Sequence, residues 1–166
     1  MPTIAESLIA EMEQEAATTR RVLERVPGDK LDWRPHDKSM TLGQLAFHVD
    51  DVPGGIAQMM MLDTFDAGEM TGPSARRIEE LLPSFETGIQ QAKETLQGLD
   101  DAAIMKSWSL TKDGQPIMEM PRLALARSIM MNHLYHHRGQ LSVYLRLLDI
   151  PVPSIYGPSA DDNPFA

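Results

Sequence analysis

Between Pro121 and Leu148 the chain runs for nearly thirty residues with Gly139 as its only glycine, and apolar side chains recur along it at helical spacing. An α-helix of that length reaches roughly 40 Å, so it forms one wall of the molecule and other elements must cover its apolar side. Two capping boxes mark where further helices start. Thr3 with Glu6 opens a first helix carrying Ile4, Leu8, Met12, Val22, Leu23 and Val26, which Pro27-Gly28 is expected to end. Thr41 with Gln44 opens a second, with Leu42, Leu45, Val49 and Val52 on one face and His48 on its flank. Pro53-Gly54-Gly55 should kink or interrupt this helix before the apolar pattern resumes in "IAQMMML". From about residue 75 to 99, Ile78, Leu82, Phe85, Ile89, Ala92, Leu96 and Leu99 trace a third helix, with Pro83 as a kink or restart.

The segments between are polar or broken. "DKLDWRPHDKSM" reads as a loop whose Trp33 packs inward, and "DAGEMTGPS" as another. Residues 102–120 lose the helical period, and Asp113-Gly114 between more apolar arms predicts a short hairpin. Residues 149–166 hold four prolines and a glycine, an irregular tail laid over the rest. The expected architecture is therefore all-α, a four-helix bundle formed by one domain over 1–166, with a short hairpin between helices three and four.

Composition narrows the functions open to such a bundle. Fifteen basic against twenty-four acidic residues give −9, a field that repels nucleic-acid phosphates, so no nucleic-acid partner is expected. With no cysteine in the chain, disulfides, thiolate ligands and a cysteine nucleophile are excluded, leaving histidine and carboxylate as the strong metal ligands. The N-terminus carries early acids instead of a basic segment followed by an apolar run, and no window reaches the roughly 18 apolar residues of a membrane span. A cytoplasmic location without membrane contact is the expectation. The twelve methionines, "MMM" at 59–61 among them, either fill gaps in the core or line an adaptable interface.

Of five histidines, three fall in "NHLYHHRGQ", residues 132–140. On a helical wheel His133 and His137 share an arc of roughly 80° with Ala126, Met130, Leu141, Tyr144 and Leu148, while His136 lies on the opposite flank of His133. His133 and His137 at i, i+4 then stack two imidazoles one turn apart, the spacing by which one helix offers two nitrogens to one ion. Two inward imidazoles need either four separate hydrogen-bond partners or a shared metal that takes one nitrogen of each. The best third ligand by residue type is His48, from a facing helix. His36, in a polar loop, is expected to face solvent. Three neutral imidazoles leave a coordination position free, as in catalytic sites.

Three stretches, "LDWRPHDKSMTLGQLAFHV", "NHLYHHRGQLSVYLRLLDIPVP" and "SIYGPSADD", taken in order over nearly the whole chain, resemble the DinB/YfiT-like superfamily of bacterial metal-binding four-helix bundles. The most specific element is a histidine on helix two combined with His-x-x-x-His-Arg-Gly-Gln on helix four. The resemblance aligns His48, His133 and His137 with the family's three metal ligands. It further implies a divalent metal, zinc or nickel, a homodimer, and relatives that are thiol-dependent transferases or isomerases using a low-molecular-weight thiol; the family name derives from damage-inducible genes. Residues 102–120 match none of its motifs, so substrate specificity can differ there.

Three functions follow as expectations. In a metal-dependent thiol transferase, the ion would activate a thiol brought by a cosubstrate, and Arg138 would pair with a cosubstrate carboxylate unless it forms a salt bridge within the bundle. Gln140 would support a ligand or hydrogen-bond in the core. In a metal-dependent hydrolase, one of Asp50, Asp51, Asp161 and Asp162 would serve as acid and base. In a non-catalytic stress protein the metal would be structural. Each reading takes a small molecule or a partner that the sequence does not name.

Overall fold

The computed structural model describes residues 1–70 and 76–166. Helix α1 (Ile4–Leu23) starts at its capping box: the Thr3 hydroxyl accepts from the Glu6 amide and the Glu6 carboxylate accepts from the Thr3 amide. It closes at Leu23, ahead of the Pro27-Gly28 stop. Helix α2 (Leu42–Met60) starts at the second box, Thr41 with Gln44.

Pro53-Gly54-Gly55 neither interrupts nor ends α2; the helix runs through it, which corrects the expected interruption. The physical reason lies on α3 (Leu81–Gln97). Pro53 and Gly54 are buried, and a Cβ on Gly54 would stand 3.0 Å from the Gly88 Cα of α3. Two glycines thus let the helix backbones meet closely, and that packing offsets the hydrogen bond the proline removes. Pro83 is the third residue of α3, where its missing N–H is one of the unpaired donors of the first turn, so it marks the start of the α-helix, the restart that is one of the two expectations. A 3-10 turn at Ile78–Glu80 leads into α3, and the expected helix start at residue 75 lies outside the described residues.

The expected hairpin forms: β2 (Ser107–Lys112) pairs antiparallel with β3 (Gln115–Pro121). Asp113 and Gly114 between them have φ of 51° and 75°, the left-handed pair that a two-residue hairpin needs. A third strand, β1 (Thr64–Asp66), pairs in parallel with β2, giving the order β1-β2-β3. The all-α expectation is corrected accordingly to a mostly helical fold with a small sheet. Asp66 belongs to β1 and residues 67–69 to a 3-10 turn, so the loop expected over 66–74 is partly structured; its residues 71–74 lie outside the described residues. Short helix α4 (Asp101–Ile104) precedes β2. Buried Trp108 donates from Nε1 to the Met59 carbonyl, and Arg122 donates to the Met60 and Leu62 carbonyls, so the sheet is fastened to the C-terminus of α2.

The long wall begins after Pro121, which caps it, with one turn of α5 (Arg122–Ala124). It passes through a π-helix, Leu125–Asn132, and ends as α6 (His133–Leu147). In cross-section α2 packs on α3 and α6, and α1 packs on α3 and α6, around one core that includes Leu8, Val49, Phe85 and Leu141. Of the methionine run, Met60 is buried in that core, Met59 packs against it and Met61 is 65% exposed. The tail after Leu148 is irregular, as expected, and is held by its own side chains: Asp162 accepts from the Ser154 amide, and Asp161 from the Val152 amide and from Arg146. Trp33 is half-buried and meets Tyr144 of α6 edge-on at 5.6 Å. Among the described residues no helix is long and apolar enough to cross a membrane.

Candidate metal centre

His48 comes from the middle of α2, and His133 and His137 from the first turns of α6, which packs directly on α2. The buried stripe of α6 is Leu134, Arg138, Leu141 and Leu145, so the two histidines stand at the edge of the core, half-buried, and not at its centre as the wheel suggested. His48 is half-buried on the facing edge of α2. One nitrogen from each of the three rings lies within 4.8 Å of the others, a group that could hold a metal ion.

The distances fit that use. His48 Nε2 and His133 Nε2 are 3.2 Å apart. Two nitrogens bound to one tetrahedral zinc at ~2.0–2.1 Å stand about 3.3 Å from each other, so this pair needs almost no movement to share an ion. The His137 ring centroid lies 4.4 Å from that of His48 and 4.5 Å from that of His133. Its Nδ1 is 2.7 Å from Gln140 Oε1. An amide oxygen only accepts, so Nδ1 carries the proton and Nε2 keeps its lone pair for the group. Burial, followed by the neighbouring imidazoles, lowers His137 to about 4, with the Gln140 bond opposing. His48 is lowered by burial and by His133, with Asp51 opposing. Neutral imidazoles are the form that ligates metal.

The other candidates separate. His36 is exposed, as expected, and accepts from the Lys38 amide. His136 is exposed, its ring 4.9 Å from that of His137, at the rim of the group. Arg138 does not reach toward a cosubstrate: it is 1% exposed, 2.7 Å from Glu15 of α1, bonded to the Thr19 hydroxyl and the Glu15 carbonyl, and stacked near Tyr135 and Tyr156. One helical step from His137 turns it by about 100°, away from α2 and into the bundle, which corrects its assignment as a cofactor-binding residue. Asp161 and Asp162 tie the tail. Asp50 is buried, with Arg76 at 2.7 Å, and burial raises it to about 6 against the pull of that guanidinium. Asp51, one turn after His48, is exposed and 2.6 Å from the same Arg76. Arg76 escaped the sequence reading because it sits beyond a loop and its partners lie a whole connection away.

Known proteins share the family and the fold. The family model described as the DinB family matches residues 1–163. The chain belongs to the DinB family. Protein YrdA of Bacillus subtilis (strain 168) is similar, 29% identical over 153 residues that make up 90% of this chain and 86% of that one. A DinB-like protein of Bacillus cereus ATCC 10987 shares the fold with a TM-score of 0.72 at 20% identity, covering 91% of this chain and 97% of its own. A putative DinB-family member from Exiguobacterium sibiricum 255-15 does so with a TM-score of 0.62 at 22% identity, covering 97% and 98%.

Proposed function

We propose that this protein is a divalent-metal enzyme of the thiol-transferase type, with His48, His133 and His137 as its protein ligands and zinc or nickel as its ion. The observation that carries the reading is a gathering of three imidazole nitrogens within 4.8 Å that no fourth His, Asp or Glu of the described residues joins. Three neutral ligands at the rim of the bundle leave room for an exogenous group. An ion bound there lowers the pKa of a thiol or water at its open position.

The chain's own residues supply the rest. Gln140 holds the His137 ring with Nε2 toward the group. Burial holds His48 and His137 toward the neutral form, which offers a lone pair without first releasing a proton. Because the chain has no cysteine, the thiol arrives with a cosubstrate. With Arg138 committed to Glu15, that cosubstrate is received by the exposed rim, where His136 and Gln140 stand. A hydrolase is the second reading, favoured by Asp51, the one of the four candidate carboxylates whose charge is felt at His48.

The test has two stages. Metal content of the purified protein should fall to background in His133→Ala and His137→Ala; full retention in both refutes the three-histidine site. The metal-loaded protein is then given an electrophilic dye with a panel of small thiols, and rate enhancement confined to one thiol is the expected result. No enhancement with any thiol, alongside ester or amide cleavage, transfers the assignment to the hydrolase.

A further inference from the structure

Three neutral imidazoles contribute no negative charge, so an ion held by them keeps both its positive charges in a half-buried place. A negative charge nearby would strengthen binding by compensating them. On α2 the residue three positions after His48 is Asp51, and side chains at that spacing are neighbours on a helix face, with Cβ atoms roughly 5–6 Å apart. Its carboxylate is not free to wander. Arg76 reaches it with one guanidinium nitrogen at 2.6 Å, reaches Asp50 with another at 2.7 Å, and lies 4.4 Å over the Phe47 ring. With two carboxylates to one guanidinium, the cluster carries a net charge of −1 beside the histidines.

We infer that Asp51, held in place by Arg76, is a positioning residue that supplies the negative field of the three-histidine site and tunes its affinity for a divalent cation. The inference rests on the metal site proposed above. Asp51 acts through space, outside the ligand set. Arg76 has two opposed effects: it orders the carboxylate and it masks part of its charge.

This opposition gives a signature that a purely structural ion pair lacks. Affinity for Co(II) and Zn(II) is measured by competition with a chromophoric chelator at low salt. Asp51→Asn should weaken binding about fivefold, and Asp51→Glu should retain most of it. Arg76→Met should tighten binding by a similar factor while lowering the melting temperature, since it removes a positive charge as well as a contact. The Co(II) absorption spectrum should keep its shape in all three variants, because the ligands are unchanged. If Asp51→Asn binds as tightly as the parent, or if Arg76→Met weakens binding in step with Asp51→Asn, Asp51 has no such role. His133→Ala separates the levels: if it too keeps the metal, the histidine site fails and this inference with it, whereas loss there beside an unaltered Asp51→Asn overturns this inference alone.

Discussion

Gln140 decides what His137 can offer, because a bond to Nδ1 dictates which nitrogen faces His48. Gln140→Ala should therefore weaken metal binding by roughly 10- to 100-fold with little change in melting temperature; unchanged affinity would mean that packing alone orients the ring. Protonation makes a second test. Unfolded, His137 titrates near 6.5, and folded it is held to about 4. The unfolded chain therefore binds more protons in this window, and metal-free protein should lose stability as pH falls from about 6.5 toward 4. Thermal melts of His137→Gln across that range should show a flatter decline, and an identical slope would place the acid sensitivity elsewhere. His133 and His137 were legible because their spacing is local to one helix, and His48 by residue type. Arg138 was not. Its neighbour in sequence is a candidate ligand, but its partner Glu15 lies 123 positions away, and no local pattern shows that pairing.

Helix starts were written plainly in the two Thr-x-x-Glu/Gln boxes, whereas helix continuity was a tertiary matter. Pro53 and two glycines read as a break until α3 presents Gly88 against them. Adjacent glycines there should respond with opposite signs. Gly54→Ala pushes a methyl to 3.0 Å from the Gly88 backbone and should cost about 1–3 kcal/mol. Gly55→Ala meets nothing within 4 Å and should stabilise by about 0.5–1 kcal/mol. Urea midpoints measure both, and a tolerated Gly54→Ala would refute the close crossing. The π-helix had a faint signal: the buried residues Leu125, Ala126, Met130 and Met131 repeat at a spacing of five, while those of α6 repeat at three and four. A wheel stepped at a constant angle through both segments misplaces one against the other, which is why the histidines were set deeper in the core than they lie. The parallel strand β1 carried no such signal, being three residues long and paired with a partner across the whole of α3.

At the scale of the molecule, Arg138 and Glu15 join α6 to α1, and Tyr156 of the tail donates to the same Glu15 oxygen, Oε2, at 3.0 Å. Removing one member of a buried pair strands the other, so Arg138→Met should destabilise by about 3–5 kcal/mol in urea unfolding. Metal stoichiometry at low temperature should be unaffected. The reverse pattern, intact stability with impaired cosubstrate binding, would restore Arg138 to the site. The same pair bears on the order in which the fold assembles. Glu15 lies in the first helix, yet its partners arrive 123 and 141 positions later. Closing loops of that length comes late in folding. Without the C-terminal segment the Glu15 carboxylate lacks its Arg138 and Tyr156 partners, and burying it unpaired against an apolar surface is costly. The first helix of the chain thus has one edge of its inner face closed only by the last.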